Sequence, residues 1–432
     1  MIFRPALALA AKSESLRRVK VGIVNAACTS ITGKRIEMIR LLTCILVMTT
    51  ISLFAGCGDQ GKSADPPATI QAASGDSSTV VSFSMDPGVE YWLFYAPSSS
   101  LTSTNFTSVA GGKVITNAVS PHVVSGLTNG TTYYFTINGR TNHGPGGPGT
   151  GLVSATPRPA GNAWIPGQSL VAGDLRGAAF GATFVVVGAS GAMFSTPDGI
   201  SWTAINFVVA SDLNAVFYGI GRYIAVGASG VVLQSTDAIT WTAATSGTPN
   251  NLNAGASNGA AYLAVGASGT LTVSADGQTW EVRNAGTSSN LYGVAFGNGI
   301  WVAVGANGAI VTSTDTANWQ VVASQTSSDL RAVTYGATAA TFVAVGAGGT
   351  VVTSPDGVNW TARGPVASTL LTGVSFGSQF AAVGNNGSIF TSADGVSWRA
   401  APSGTTSNLN TVAYGNLRFL AAGAAGTNLY AN

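Results

Sequence analysis

Residues 291–319, LYGVAFGNGIWVAVGANGAIVTSTDTANW, decide how this chain is built. The stretch reads Leu-x-x-Val-x-aromatic-Gly, then an apolar run into Val-Gly-x-x-Gly, then Ser-x-Asp with a Trp four residues on. The same grammar recurs on both sides. Trp164, Trp202, Trp241, Trp280, Trp319, Trp360 and Trp398 are spaced 38, 39, 39, 39, 41 and 38 residues apart. A period near forty marks a stacked or radial repeat. Within each period lie four strand-sized pieces. Gly-x-x-Gly and Asp-Gly turns need backbone with φ > 0, and they join antiparallel neighbours into a meander.

Seven leucines open the first strand of each unit: Leu175, Leu213, Leu252, Leu291, Leu330, Leu371 and Leu409. Only six aspartates follow in register, Asp198, Asp237, Asp276, Asp315, Asp356 and Asp394, and the last unit lacks its own Trp. The spare Trp164 lies ahead of the first unit. The expected architecture over 162–432 is therefore a seven-bladed β-propeller whose last blade takes its outer strand from the N-terminal side, removing open sheet edges.

The 432 residues are 46% hydrophobic and 8% charged, with 56 glycines, a composition for an all-β protein with many tight turns and not for disorder. Eight of the 19 Lys and Arg precede residue 41; after Cys57 there are 11 basic and 15 acidic residues, a balance of −4. No basic patch for nucleic acid is visible. All three cysteines, Cys28, Cys44 and Cys57, fall in the first 57 residues, which leaves none for a disulfide framework or a Cys-based metal site in the body.

Met38-Ile39-Arg40, the apolar run 41–55 and Gly56-Cys57 have the form of an export signal over 38–57, with 1–37 as a mis-assigned upstream start. Leu53-Phe54-Ala55-Gly56-Cys57 resembles the lipobox of bacterial lipoproteins, which implies a lipid on Cys57. Gly58 follows the Cys; in a two-membrane host the resemblance implies the outer membrane, or the cell surface. Residues 58–66 read as a tether. From 67 to 157, short β-type runs alternate with Asp-Pro-Gly, Asn-Gly and Gly-Pro turns, as in a β-sandwich. Leu127–Phe135, LTNGTTYYF, resembles the fibronectin type III signature, with Tyr133 as the corner tyrosine and Phe83 where many members have a core Trp. Residues 158–162 read as a Pro/Gly linker. His122 and His143, the only histidines, read as solvated loop residues, and no metal or cofactor is expected.

The Ser/Thr-x-Asp-x-x-x-Trp pattern resembles the Asp-box (BNR) repeat of sialidases and of many non-enzymatic propellers. The Gly-x-x-Gly pairing is closer to bacterial propellers of the photosystem-assembly-factor type. The six aspartates are expected to accept backbone N–H groups at hairpin tips, and the seven tryptophans to pack between blades. Sialidase chemistry would need an arginine triad, an acid/base Asp and a Tyr activated by a Glu. The repeats hold Arg176, Arg222, Arg283, Arg331, Arg363, Arg399 and Arg418 but one glutamate, Glu281, and no acid/base constellation emerges.

The position after each first-strand Leu is polar in every unit and varied between units: Arg176, Asn214, Asn253, Tyr292, Arg331, Thr372 and Asn410. These form the candidate ligand-binding ring at the channel mouth, with Arg176 and Arg331 as donors to an acidic group or glycan. The position before each Leu, mostly Asp or Asn, is expected to cap the loop entering the inner strand. The expected function is a non-catalytic binding or assembly module for a protein or glycan at the bacterial cell envelope, monomeric and lipid-anchored. An Asp-box glycan hydrolase and a purely structural surface adhesin stand as alternatives.

Overall fold

A computed structural model describes residues 61–171, 173–206 and 209–432. The segment expected as an export signal, Cys57 and the start of the segment expected as a tether lie outside the described residues. The described structure is all-β, its only other regular elements being three-residue 3-10 turns. Two compact units divide it. The smaller includes 61–63 and 140–145, where Lys62 and Thr141 exchange backbone hydrogen bonds at 3.1 and 2.8 Å. The larger, 64–139 with 146–432, carries the cores and the cavity described below. Ser63–Ala64 is a two-residue strand within the segment expected as tether.

The N-terminal part of the larger unit holds two sheets. Ile70–Gly75, Ser78–Phe83 and His122–Ser125 form one; Glu90–Ala96, Lys113–Ile115, Tyr133–Arg140 and Val153–Ala155 belong to the other. Alternating apolar residues from both meet in one core containing Val81, Leu93, Val124, Phe135 and Ile137. The Tyr133 hydroxyl accepts the Thr128 N–H at 3.2 Å, tying the strand to its preceding loop. His122 lies in a strand and is half-buried, contrary to the loop expected for it; His143 is exposed.

Seven four-stranded antiparallel sheets follow, numbered 1–7 here in chain order. Their inner strands are Leu175–Phe180, Leu213–Gly219, Leu252–Ser257, Leu291–Gly297, Leu330–Gly336, Leu371–Phe376 and Leu409–Gly415. Each inner strand packs against the next, and the last against the first, closing a ring. Small residues permit this approach: a Cβ on Gly293 would sit 2.9 Å from the Ala332 Cα of the next sheet. The second strands, such as Phe184–Gly188 and Ile300–Gly305, are buried on both faces, which explains their unbroken apolar sequence. Sheet 7 consists of Leu409–Gly415, Arg418–Gly423 and Asn428–Ala431, with Ile165–Pro166 as its outer strand. Pro166 offers no N–H to a further strand, which suits an edge.

The tryptophans wedge between sheets: Trp241 packs with sheets 1 and 2, Trp280 with sheets 2 and 3, Trp360 with sheets 4 and 5. Residues 158–162 are not a loose linker. Ala160 is fully buried in the core of sheets 6 and 7, and Gln379 Nε2 donates to its carbonyl at 2.7 Å.

The N-terminal sheets meet sheet 7 through a buried carboxylate. Asp76, with no exposed surface, accepts the Tyr414 hydroxyl at 2.8 Å, Asn129 Nδ2 at 2.9 Å and the Ser77 hydroxyl at 3.3 Å. Burial raises the Tyr414 phenol, and its hydrogen bond to Asp76 raises it further.

Candidate functional site

The ring closes around an axial cavity of about 200 Å³, and Arg176, Asn214, Asn253, Tyr292, Arg331, Thr372 and Asn410 all line it. The pairing register explains their common orientation. In every sheet the register slips between the leading Leu and the residue two positions on, so the residue between them is the extra member of a β-bulge. A bulge interrupts the pleat and re-aims one side chain, here seven times around one axis. The sequence marks these positions by their variation. It gives no sign of the bulge.

Four of the seven side chains are engaged in holding the ring together. Asn214 Nδ2 donates to the Leu252 carbonyl at 3.0 Å, Asn253 Nδ2 to Leu291 at 2.9 Å, Thr372 Oγ1 to Leu409 at 2.5 Å and Asn410 Nδ2 to Leu175 at 2.8 Å. Each bond runs from one sheet to the first residue of the next, and the last joins sheet 7 to sheet 1. These residues are inter-sheet staples.

The other three differ. Arg176 Nη1 donates to Asp212 Oδ2 at 2.8 Å and Asn214 Oδ1 at 3.1 Å, bridging sheets 1 and 2 and orienting the Asn214 amide. Arg331 Nη2 donates to Asp329 Oδ2 of its own sheet at 3.0 Å, and its guanidinium lies 4.2 Å over the Tyr292 ring, joining sheets 4 and 5 by a cation–π contact. The arginines expected as open donors are thus already ion-paired. These pairs remain about a third exposed, so solvent screens them. Arg331 Nε is buried without a hydrogen-bond partner.

The Asx residues before each Leu also act across sheets, which corrects the expectation that they cap their own loop. Asp212, Asn251, Asn290, Asp329, Asn408 and Asp174 each accept a backbone N–H from the preceding sheet's Gly-x-x-Gly turn, that of Ser190, Ser229, Ser268, Asn307, Asn386 and Ala425 respectively, at 2.8–3.2 Å. Those six donors have left-handed backbone, φ between +48° and +56°. The Asp212 carboxyl is held below its ordinary value first by the Ser190 N–H and then by Arg176.

The repeat aspartates sit at the opposite, outer end of each sheet. Asp315 Oδ1 accepts Ala317 N–H at 3.0 Å, Asn318 N–H at 2.8 Å and the Ser313 hydroxyl at 3.1 Å, and Asp198, Asp237, Asp276, Asp356 and Asp394 repeat the arrangement. Backbone donors lower all six carboxyls. The carboxylates are committed to their turns. Among the described residues no group of three or more His, Cys, Asp or Glu could hold a metal ion.

A closed ring of four-stranded antiparallel meanders around an axial cavity defines a β-propeller. No family model and no curated protein sequence matches the chain. Solved propellers resemble it in fold. YCF48 bound to D1 peptide is 18% identical with a TM-score of 0.53, covering 63% of this chain and 96% of its own. YCF48 from Cyanidioschyzon merolae is 20% identical with a TM-score of 0.50, covering 62% and 98%. The WD40 propeller domain of Doa1 is 10% identical with a TM-score of 0.54, covering 63% and 97%.

Proposed function

We propose that this chain is a non-catalytic binding or assembly module of the bacterial cell envelope. In this reading a seven-bladed propeller over 162–432 follows a fibronectin type III-like sandwich over 67–157. A signal over 38–57 directs export, and a lipid on Cys57 holds the monomer at the outer membrane or cell surface. The ligand is a protein segment taken at the axial mouth.

The observation that carries this reading is the break in the ring. A ring built only for stability would repeat one staple seven times, yet Arg176, Tyr292 and Arg331 replace it around one shared cavity. Their guanidinium and phenol groups stack and hydrogen-bond, the chemistry of recognition. The cavity lining supplies no Asp or Glu, and Asp212 and Asp329 beside it are engaged with arginines and turn amides, which favours binding over glycoside hydrolysis. One solved propeller of similar fold is described as bound to a peptide, which supports a protein ligand over a glycan. The mouth lies at the start of the inner strands, whereas the sandwich meets sheet 7 beyond Tyr414 at their far end. That polarity suits a mouth presented away from the anchor.

Capture from envelope extract by the intact protein, compared with R176A/R331A, tests the site; the double variant is expected to lose the partner, and unchanged capture would overturn the assignment. Metabolic labelling with a fatty-acid analogue is expected to mark the wild type and not Cys57→Ser.

A further inference from the structure

Resting on the proposed binding role of the mouth, the geometry points to a carboxamide as the group recognised there: we infer that the seam between sheets 5 and 6 takes an Asn or Gln side chain of an extended peptide. The protein's own staples define the complement. At three seams an Asn amide donates to the leading Leu carbonyl of the next sheet at 2.8–3.0 Å. A hydroxyl does the same at the seam of sheets 6 and 7. The seam of sheets 1 and 2 is bridged by Arg176 and that of sheets 4 and 5 by the Arg331–Tyr292 stack.

At the seam of sheets 5 and 6 the equivalent residue is Arg331, and it turns away, onto Tyr292 of sheet 4 and Asp329 of its own sheet. Among the described residues no side-chain donor reaches the Leu371 carbonyl. The second latch is missing at the same seam, because Leu370 stands where the other sheets place an Asx cap. This is the one seam with neither contact, and it opens on the shared cavity.

A carboxamide entering here has both halves matched. Its N–H takes the place of the absent staple on the Leu371 carbonyl, and its oxygen accepts from the Arg331 guanidinium. A sugar hydroxyl lacks the planar donor–acceptor pair that Asn214 shows to fit, its amide N–H donating to the Leu252 carbonyl while its oxygen accepts from Arg176.

The test probes the full chain in detergent with an array of random dodecapeptides and with a glycan array. The wild type is expected to bind peptides enriched in Asn and Gln. R331N, which supplies the missing staple in cis, is expected to weaken that binding at least about tenfold while its Tm stays within about 3 °C of wild type. D237N, which removes a turn carboxylate at the opposite end of sheet 2, is expected to lower Tm and keep binding within about twofold. Binding unchanged in R331N, or bound peptides without carboxamide enrichment, would overturn the inference. Glycan binding sensitive to R176A/R331A would also overturn it and leave the mouth as a site. Absence of any binding sensitive to R176A/R331A would remove the mouth reading itself. If R331N does not fold, competition decides: propionamide is expected to displace peptides from the wild type, and failure to displace them overturns the inference.

Discussion

Gly348 and Leu370 change together. Gly348 is the only glycine at the left-handed centre of the seven Gly-x-x-Gly turns, with φ +61°, and Leu370 is the only non-Asx residue at the position that caps the preceding turn. Where the cap is missing, the residue that tolerates left-handed backbone without one is present. Nothing lies within 4 Å of a Cβ on Gly348, so an asparagine side chain there meets only backbone strain. G348N is expected to cost about 1 kcal/mol. L370N, at a partly exposed position, is expected to recover most of that by accepting the backbone N–H of the substituted turn residue. A double-mutant cycle by urea unfolding should give a favourable coupling of about 1 kcal/mol; additive effects would contradict the pairing.

The repeat aspartates make stability depend on acid. Asp237 and Asp315 are held at about 2, below their ordinary 3.8, chiefly by the Thr240 and Asn318 N–H groups respectively. A carboxyl depressed in the fold contributes stability that is present above its unfolded value and lost as pH falls through its folded value. Thermal unfolding should therefore show Tm falling between about pH 4 and pH 2. D237N/D315N is expected to melt lower than wild type at pH 7 and to show a shallower acid fall.

Tyr414 is expected to hold the N-terminal sheets on sheet 7. Tyr414→Phe removes one of three side-chain donors from the wholly buried Asp76 carboxylate. Hydrogen bonds to charged groups contribute about 1.5–3 kcal/mol, and the loss should fall in that range in chemical denaturation. Limited proteolysis around 76–78 should quicken with it.

Sheet 4 carries avoidable strain. Thr316 adopts φ +66° at the turn position that is Gly199, Gly277, Gly357 or Gly395 in four other sheets and Ala238, at φ +63°, in sheet 2. Left-handed backbone is an outlier for a β-branched residue. Its N–H donates to Ser313 Oγ at 2.9 Å, a bond glycine keeps. Thr316→Gly should raise stability by about 0.5–1 kcal/mol, the strain relief less the entropy glycine gains on unfolding; a lower Tm would show a role for the side chain.

The forty-residue spacing of the tryptophans made the four-stranded repeat readable, because each sheet needs the same turn and the same wedge. The cavity ring was readable for the opposite reason: the residue after each Leu varies while its surroundings repeat. What those side chains do was not readable. Asn410 reaches Leu175 across 235 positions and Asp212 caps Ser190 from the next sheet, relationships that local pattern does not encode. The arginines were legible as charged donors, but their commitment to Asp212 and Asp329 follows from a bulge that sequence periodicity does not reveal. Residues 158–162 misled because their composition is that of a loop, whereas the small side chain of Ala160 lets that backbone enter a core.

The outer strand of sheet 7 fixes an order of events during synthesis. Ile165–Pro166 leaves the ribosome about 260 residues before Leu429 and Tyr430, the partners it pairs with. Until then the nascent chain is an open arc with a raw edge at each end. Leu175, Phe184 and Val186 of sheet 1 stay uncovered until Ala413, Leu420 and Ala422 of sheet 7 arrive. Closure is thus a late, long-range step, and the exposed arc is the form in which this chain most needs shelter from its neighbours.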